Sequence, residues 1–379
     1  MRDILMGVSR AGMKESGDPD LLVVLLPRTC HASFLFTDNH FRSGSVIYSQ
    51  KAFRRRSSLR AFVVNSGNAN CGTGEEGVRH ARMMAEKVGE VLGVDPEDVL
   101  VFSTGVIGKP LPLDRVLEAI KKACSDLKPL DLEEASRVIG TTDSFPKFTS
   151  LKKGSLEVFG FAKGAGMISP SMATMLAFVF TNAKADPETL RDIHREVCDR
   201  TFNSITVDNC KSTNDSFGVI ALGEVDADRE DLRSALEEVS LSLAKKIVED
   251  GEGATRVIKV TVRNASMVAK AREIARAVAG SLLVKTAVYG RDPNWGRILA
   301  AAGSTEFPVD PFKVRVFIGG HLLYDGKPRP EAEDRARSHM KEEREVEIVV
   351  DLGEGKESWT YYSSDLGYEY IRVNAEYRT

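Results

Sequence analysis

The chain has no long apolar run, no paired cysteines and no strong charge imbalance, and each absence removes a class of function. No apolar stretch approaches the roughly 20 residues that span a bilayer. The first residues, MRDILMGVSRAGMKESG, lack the apolar core and cleavage pattern of a signal peptide, so a soluble, cytoplasmic protein is expected. Five cysteines (Cys30, Cys71, Cys124, Cys198 and Cys210) are scattered over 379 residues without a C-x-x-C or a nearby histidine pair. Neither a disulfide framework nor a zinc site is indicated, and no metal is expected. Cys124 and Cys198 fall inside helical patterns and read as core. Lysine plus arginine number 52 against 55 acidic residues, a net charge of -3, which speaks against nucleic acid as a partner. The basic run Arg54-Arg55-Arg56 reads as a solvated strand end or a phosphate contact.

Six histidines are present and none lies in a glycine-rich or turn motif, so a Ser-His-Asp arrangement is not expected. Gly164-Ala165-Gly166 is not followed by the helix that a dinucleotide fingerprint needs, and no G-x-x-x-x-G-K-[ST] occurs. What remains is a hydroxyl nucleophile without a histidine. The stretch KGAGMISPSMATMLAFVFTNAK, Lys163 to Lys184, supplies a candidate. A flexible Gly/Ser/Pro loop and the small pair Ala173-Thr174 run directly into the apolar segment Met175 to Phe180, which reads as a buried strand. Thr174 at its mouth is either a strand-edge threonine or a nucleophile whose own amine acts as base once the chain is cut before it.

At 379 residues the chain exceeds one ordinary core, so two lobes or one large layered domain are expected. Strand patterns at Leu21 to Leu26, Leu59 to Val64, Val99 to Phe102, Leu156 to Phe161 and Leu282 to Val288 alternate with helical periodicity. The helices fall at about 78–92, 113–127, 133–139, 187–202, 229–250 and 267–279, an α/β reading. The loop NSGNANCGTGEEG from Asn65 either aims backbone N–H groups at an anion or makes plain turns. Ser103-Thr104-Gly105, at a strand's end, can present a hydroxyl and a glycine N–H to a developing oxyanion. Glu252, between Gly251 and Gly253, is either offered to a docking group or is an incidental charge at a helix C-cap. Trp295 reads as a packing anchor.

Taken together, NSGNAN (65–70), STGVIGKPLP (103–112), TTDSFPK (141–147), KGAGMISPSMATML (163–176), STNDS (212–216), GEGAT (251–255), DPNWGRI (292–298) and the terminal NAEYRT resemble the glutamate N-acetyltransferase, or ornithine acetyltransferase, family of arginine biosynthesis. The resemblance runs in family order over nearly the whole chain. It implies a layered α/β/β/α sandwich of the N-terminal-threonine-nucleophile type, built from two self-cleaved fragments, 1–173 and 174–379, with cleavage between Ala173 and Thr174. The implied reaction moves the acetyl group of N2-acetylornithine to glutamate through an acetyl-Thr174 intermediate, without a cofactor, acetyl-CoA being a further donor in some members. Thr174 is then the nucleophile, and Thr104 with Gly105 the oxyanion hole. Thr141, Lys163, Thr174, Glu252, Asn374 and Thr379 match substrate-contacting positions. Two copies of each fragment are implied to pair as a heterotetramer. An amidase or aminopeptidase using the same N-terminal threonine is the alternative. The sequence departs from the family pattern at Cys71 in CGTG, at Ser144, at Ser171 and at Asn209-Cys210-Lys211, positions that bear on substrate preference and cleavage rate.

Overall fold

A computed structural model describes residues 3–169 and 175–376. In chain order its elements are β1 (Leu5–Ser9), β2 (Leu21–Phe36), α1 (Gly44–Arg56), β3 (Ser58–Asn68), α2 (Gly74–Leu92), β4 (Val99–Val106), α3 (Leu113–Ser125), β5 (Lys128–Pro129), α4 (Leu132–Ile139), β6 (Lys147–Lys153), β7 (Leu156–Lys163), β8 (Leu176–Ala183), α5 (Pro187–Arg200), β9 (Ile205–Thr206) and β10 (Ser216–Val225). They continue with α6 (Arg229–Glu249), β11 (Val257–Ala265), α7 (Val268–Gly280), α8 (Leu282–Tyr289), α9 (Trp295–Gly303), β12 (Arg315–Ile318), β13 (His321–Asp325), α10 (Glu333–Glu342), β14 (Glu345–Asp351), β15 (Glu357–Ser364) and α11 (Tyr368–Glu376). Of the described residues, 3–203 and 210–247 make one compact unit, and 204–209 and 248–376 a second.

In the first unit the strands hydrogen-bond in the order β4-β3-β2-β10-β8-β7-β6, with β1 also paired to β2 and β5 to β1. The pairs β3/β4 and β8/β10 are parallel, and α2 and α5 supply the crossovers that parallel strands require. β2 serves two halves. Residues 21–25 pair with β1 and β3, residues 31–36 pair with β10, and the β2/β3 register slips between Leu25 and Cys30. Three strand steps separate β3 from β8, about 14 Å along a sheet. Yet the rings of Phe62 on β3 and Phe178 on β8 stack at 4.5 Å, and Phe102 on β4 meets Phe178 at 5.0 Å. The sheet therefore doubles back at the irregularity in β2, and its two halves face each other.

Alternation along the strands sorts the side chains. Leu22, Val24, Phe62, Val64, Leu100 and Phe102 meet Phe159, Phe161, Phe178, Phe180 and Ile220 between the halves. The intervening Leu21, Val23, Ala61, Val63, Val99 and Val101 pack under α2 and α3. On α2, Ala81, Met84, Ala85 and Val88 supply the buried stripe, and Gly93 in the left-handed region stops the helix. α5 starts at a capping Asp186 with Pro187 in its first turn and buries Leu190, Ile193, His194 and Val197. Its His194 ring meets Phe217 of β10 at 4.3 Å. The expected α/β/β/α layering is thus realised in this unit, and Cys124 and Cys198 are buried as expected.

The second unit has the sheet β13-β12-β14-β11-β15-β9. On β11, Ile258, Val260 and Val262 enter a core with Ala271, Ile274, Ala275 and Val278 of α7. The alternate positions are polar: Lys259 pairs with Glu347 at 2.9 Å, and the hydroxyls of Thr261 and Thr360 meet at 3.0 Å. The chain is mixed α/β with two sheets, and no described helix is long and apolar enough to cross a membrane.

Three local expectations are corrected. Leu282 to Val288 is helix α8, capped by the Ser281 hydroxyl on the Val284 N–H. A segment as short and mostly apolar as LLVKTAV cannot distinguish helix from strand by period. Arg54-Arg55-Arg56 closes helix α1 instead of a strand, where the carbonyl end favours cations. There Arg56 pairs with Asp95 at 2.8 Å and Arg55 with Glu97 at 3.2 Å. Finally, β4 continues through Val106, so Thr104 and Gly105 lie in paired backbone facing Ser66, Gly67 and Asn68 of β3.

If the stacked phenylalanines hold the two halves of the folded sheet together, Phe178→Ala should cost about 3–5 kcal/mol. Denaturant unfolding checks this; a loss below about 1 kcal/mol would mean that the interface between the halves relaxes around the cavity.

Candidate functional site

The end of β7 delivers Lys163, 3% exposed, to a buried polar cluster. Its ammonium donates to the Thr141 hydroxyl at 2.9 Å and to the Thr104 hydroxyl at 3.2 Å. A buried cation needs a counter-charge, and Asp143 supplies it, with Oδ2 3.9 Å from Lys163 Nζ. The same carboxylate accepts from Lys147 Nζ at 2.6 Å, the Gly164 N–H at 2.7 Å and the Thr141 N–H at 3.0 Å. Burial pushes the Asp143 carboxyl up, but the ammonium groups of Lys163 and Lys147 and the Gly164 N–H outweigh it and hold the pKa at about 2. The carboxylate is ionised throughout the physiological range.

Lys14 lies near this cluster. Its ammonium donates to the carbonyls of Val138 at 2.9 Å and Arg137 at 3.3 Å, satisfying the end of α4. Burial lowers its pKa, and Asp20 and Asp18 oppose that. The surroundings of Asp143 thus hold three lysines, a field that favours anionic substrate groups.

Gly105 has φ +128°, and a Cβ there would lie 2.3 Å from the carbonyl carbon of Gly67. Only glycine lets β3 and β4 approach this closely. The asparagines of NSGNAN serve the scaffold: Asn65 Nδ2 donates to the Asn68 carbonyl at 2.8 Å, Asn68 Nδ2 to the Lys109 carbonyl at 3.2 Å, and Asn70 Nδ2 to the Gly77 carbonyl at 2.8 Å. The loop expected from Asn65 is shorter than its composition suggested: Asn65–Asn68 extend β3, Gly74 already begins α2, and only residues 69–73 connect them. The STNDS loop ties the cluster to the start of β8. Asn214 Nδ2 donates to the Ser103 carbonyl at 2.8 Å, and Asp215 Oδ1 accepts the Met175 N–H at 2.7 Å.

In the second unit, Glu252 is half-buried and accepts from Asn374 Nδ2 at 2.9 Å. Gly253, at φ +71°, allows the backbone of α11 to press against this turn, since a Cβ there would lie 2.3 Å from the Tyr370 nitrogen. Among the described residues no group of three or more His, Cys, Asp or Glu is placed to hold a metal ion.

A sequence model of the ArgJ family matches residues 5–379. The chain belongs to the ArgJ family. It is 64% identical over 379 residues to the arginine biosynthesis bifunctional protein ArgJ of Aquifex aeolicus (strain VF5), covering all of both chains. It is 41% identical over 388 residues to the glutamate N-acetyltransferase of Methanopyrus kandleri, covering 99% of this chain and 98% of that one. A crystal structure of the arginine biosynthesis bifunctional protein ArgJ from Bacillus halodurans superimposes with a TM-score of 0.52 at 37% identity, covering 54% of this chain and all of that one.

Within this ArgJ-family chain, the structure brings together Thr104, Gly105, Thr141 and Lys163 of the sequence-derived set, and separately Glu252 with Asn374. Ala173, Thr174 and Thr379 lie outside the described residues. Asp143 and Lys147 sit in the motif TTDSFPK and Asp215 in STNDS, whereas Lys14 lies outside the motif series. An acid four residues before a lysine in a turn motif was the available signal for the first pair. Nothing local marks Lys14, whose partners lie more than 120 positions away.

Asp143, depressed to about 2, stabilises the fold fully above the unfolded carboxylate value near 3.9 and loses that contribution as pH falls through about 2. The stability gap between wild type and Asp143→Asn should therefore include roughly 2 kcal/mol that is present at pH 6 and largely gone near pH 2. Denaturant titrations across that range would show it; a gap independent of pH would mean that Asp143 acts only through neutral hydrogen bonds.

Proposed function

We propose that the chain is an acetyltransferase of arginine biosynthesis that carries the acetyl group of N2-acetylornithine to glutamate on Thr174, after self-cleavage between Ala173 and Thr174. The observation that carries this reading is family membership over residues 5–379 together with a buried Lys163 bonded to both Thr104 and Thr141. The fragments would be 1–173 and 174–379. β7 and β8, which fall on either side of the cut, are paired from Val158↔Thr181 to Lys163↔Leu176, a ladder that would keep the fragments together. Two copies of each fragment would form the heterotetramer, in the cytoplasm, without a cofactor.

The freed α-amine of Thr174, with a reference pKa of about 7.7–8.0, takes the hydroxyl proton as Thr174 Oγ attacks the acetyl carbonyl. The Thr104 hydroxyl accepts from Lys163, so its own O–H remains to donate, and the ammonium polarises it. That O–H and the Gly105 N–H stabilise the oxyanion. Its collapse expels ornithine, which takes the proton back from the α-amine. Glutamate's amine then attacks the acetyl-Thr174 ester and leaves as N-acetylglutamate, and Thr174 regains its proton. The lysines around Asp143 favour a carboxylate-bearing acceptor, and Glu252 with Asn374 would hold a substrate ammonium. Acetyl-CoA serves as a second donor if the bifunctional character named for the Aquifex relative extends to this chain.

Mixing the cleaved protein with N2-acetylornithine alone should add one acetyl group to the fragment beginning at Thr174 by intact mass, and adding glutamate should remove it. Acetate release that ignores the acceptor would point instead to a hydrolase. Thr174→Ala should remain full-length and inactive; cutting of that variant at the same bond would assign the cleavage to an external protease.

Thr104→Ala should lower kcat about 10²- to 10³-fold with little change in KM, because an oxyanion donor acts on the transition state. Its place inside β4 tolerates alanine. A raised KM at normal turnover would make Thr104 a ground-state contact.

A further inference from the structure

Asn214 is 6% exposed, and both protons of its side-chain amide are committed. Nδ2 donates to the Ala69 carbonyl at 2.7 Å and to the Ser103 carbonyl at 2.8 Å, while Oδ1 accepts from the Thr213 hydroxyl at 2.5 Å. Carbonyls only accept, so these partners also fix which way the amide is turned. Ala69 directly follows β3, and Ser103 precedes Thr104 on β4. The next two residues hold the start of β8. Asp215 Oδ1 accepts the Met175 N–H at 2.7 Å, and the Ser216 N–H donates to the Met175 carbonyl at 3.1 Å. Three consecutive residues, with Cα atoms about 3.8 Å apart, therefore hold both the residue before Thr104 and the first residue after Thr174.

The end of β4 needs such a hold. β4 ends its sheet, with β3 its one strand neighbour among the described residues. On that side the ladder is irregular where it matters, the register shifting between Gly67 and Asn68 opposite Thr104 and Gly105. Gly105, at φ +128°, has no side chain to restrict its backbone. The ladder by itself therefore leaves this segment room to rock. The Ser103 carbonyl and the Thr104 nitrogen belong to one rigid peptide plane, so the Asn214 amide fixes the plane from which Thr104 departs. Ser103 is also held by its side chain, which donates to Asn65 Oδ1 at 2.6 Å and lies 2.6 Å from the Ser45 hydroxyl.

We propose that Asn214 is a positioning residue for the oxyanion hole: its amide holds the Ser103 carbonyl, and through it the Thr104 hydroxyl and the Gly105 N–H, in register with the start of β8. The proposal rests on the reading that Thr104 and Gly105 stabilise the oxyanion formed during acetyl transfer. Asn214 acts through the backbone of β4 and supplies no donor to the substrate itself. Oxyanion donors act at about 2.7–3.1 Å from the oxygen they stabilise, and a misplacement of about 1 Å can cost about 100-fold in rate. A clamp that sets this distance without touching substrate affects the transition state far more than substrate binding.

The test measures acetyl transfer from N2-acetylornithine to glutamate, normalised to cleaved chain by intact mass. It compares wild type, Asn214→Ala, Asn214→Ser, Thr104→Ala and the double variant Thr104→Ala with Asn214→Ala, each with its unfolding midpoint. Asn214→Ala leaves both carbonyls without their donor and should lower kcat about 100-fold, with KM within about twofold. Asn214→Ser keeps one hydroxyl donor and should lose about tenfold in kcat. In the Thr104→Ala background, Asn214→Ala should cost at most about a further tenfold, because one of the two donors it positions is already gone. Folded variants with kcat within about threefold of wild type, a loss confined to KM, or losses that simply multiply in the double variant each overturn the proposal and leave the acetyltransferase reading standing. Failure of both Asn214 variants to fold or to be cleaved also overturns it, since the amide would then serve the scaffold alone. A wild-type chain that transfers no acetyl group removes the acetyltransferase reading and the proposal with it.

Discussion

The doubling back of β2 is the constraint from which the first unit follows. One 16-residue strand belongs to both halves of a sheet, and the slip between Leu25 and Cys30 supplies the bend. Without the bend, β3 and β8 would lie strands apart and their phenylalanines would face solvent. With it, Phe62, Phe102, Phe161 and Phe178 interlock, and helices are left to cover only the outer faces. Apolar burial at roughly 25 cal/mol per Å² drives this closure, and the aromatic contacts give it one geometry. The end of β7 is thereby brought to β4, so the meeting of Lys163 with Thr104 is a consequence of folding the sheet.

The polar cluster at that junction is an arrangement of buried charge. Ammonium groups at Lys163 and Lys147 require Asp143, and Asp143 in turn requires the Gly164 and Thr141 N–H groups that complete its shell. A pair buried this deeply gains little net stability, because desolvation offsets attraction. Its value lies in position. Lys163 is held where it can polarise the Thr104 hydroxyl, with little freedom to move and little solvent to screen it.

Two carboxyls near Lys163 illustrate how environment divides roles. Asp143, surrounded by donors, has its pKa held down at about 2; Asp215, buried with one N–H on its carboxyl, has its pKa pushed well above the usual carboxylate range by desolvation. The same functional group is thus driven in opposite directions by its surroundings.

Local pattern was sufficient for much of the chain. Period-3.6 spacing located α2, α5 and α7, capping by Asp186-Pro187 placed the start of α5, and short apolar runs located β2, β3, β7 and β8. The motif series identified the family. Where the signal was a short apolar run, as at Leu282 to Val288, or a polar helix such as α1 with buried serines, the pattern misled or was silent, because tertiary burial decided between states of nearly equal local preference. The strand extension that encloses Thr104 and Gly105 depends on β3 lying alongside. The charge state of Asp143, the reach of Lys14 across more than 120 positions and the unpaired oxygen of Asp215 likewise depend on tertiary contacts. The sequence by itself determined which groups are available and what local backbone they favour; the tertiary structure decided which of them are dry and which lie within hydrogen-bonding distance, since desolvation and Coulomb energy depend on distances through space that separation along the chain does not encode.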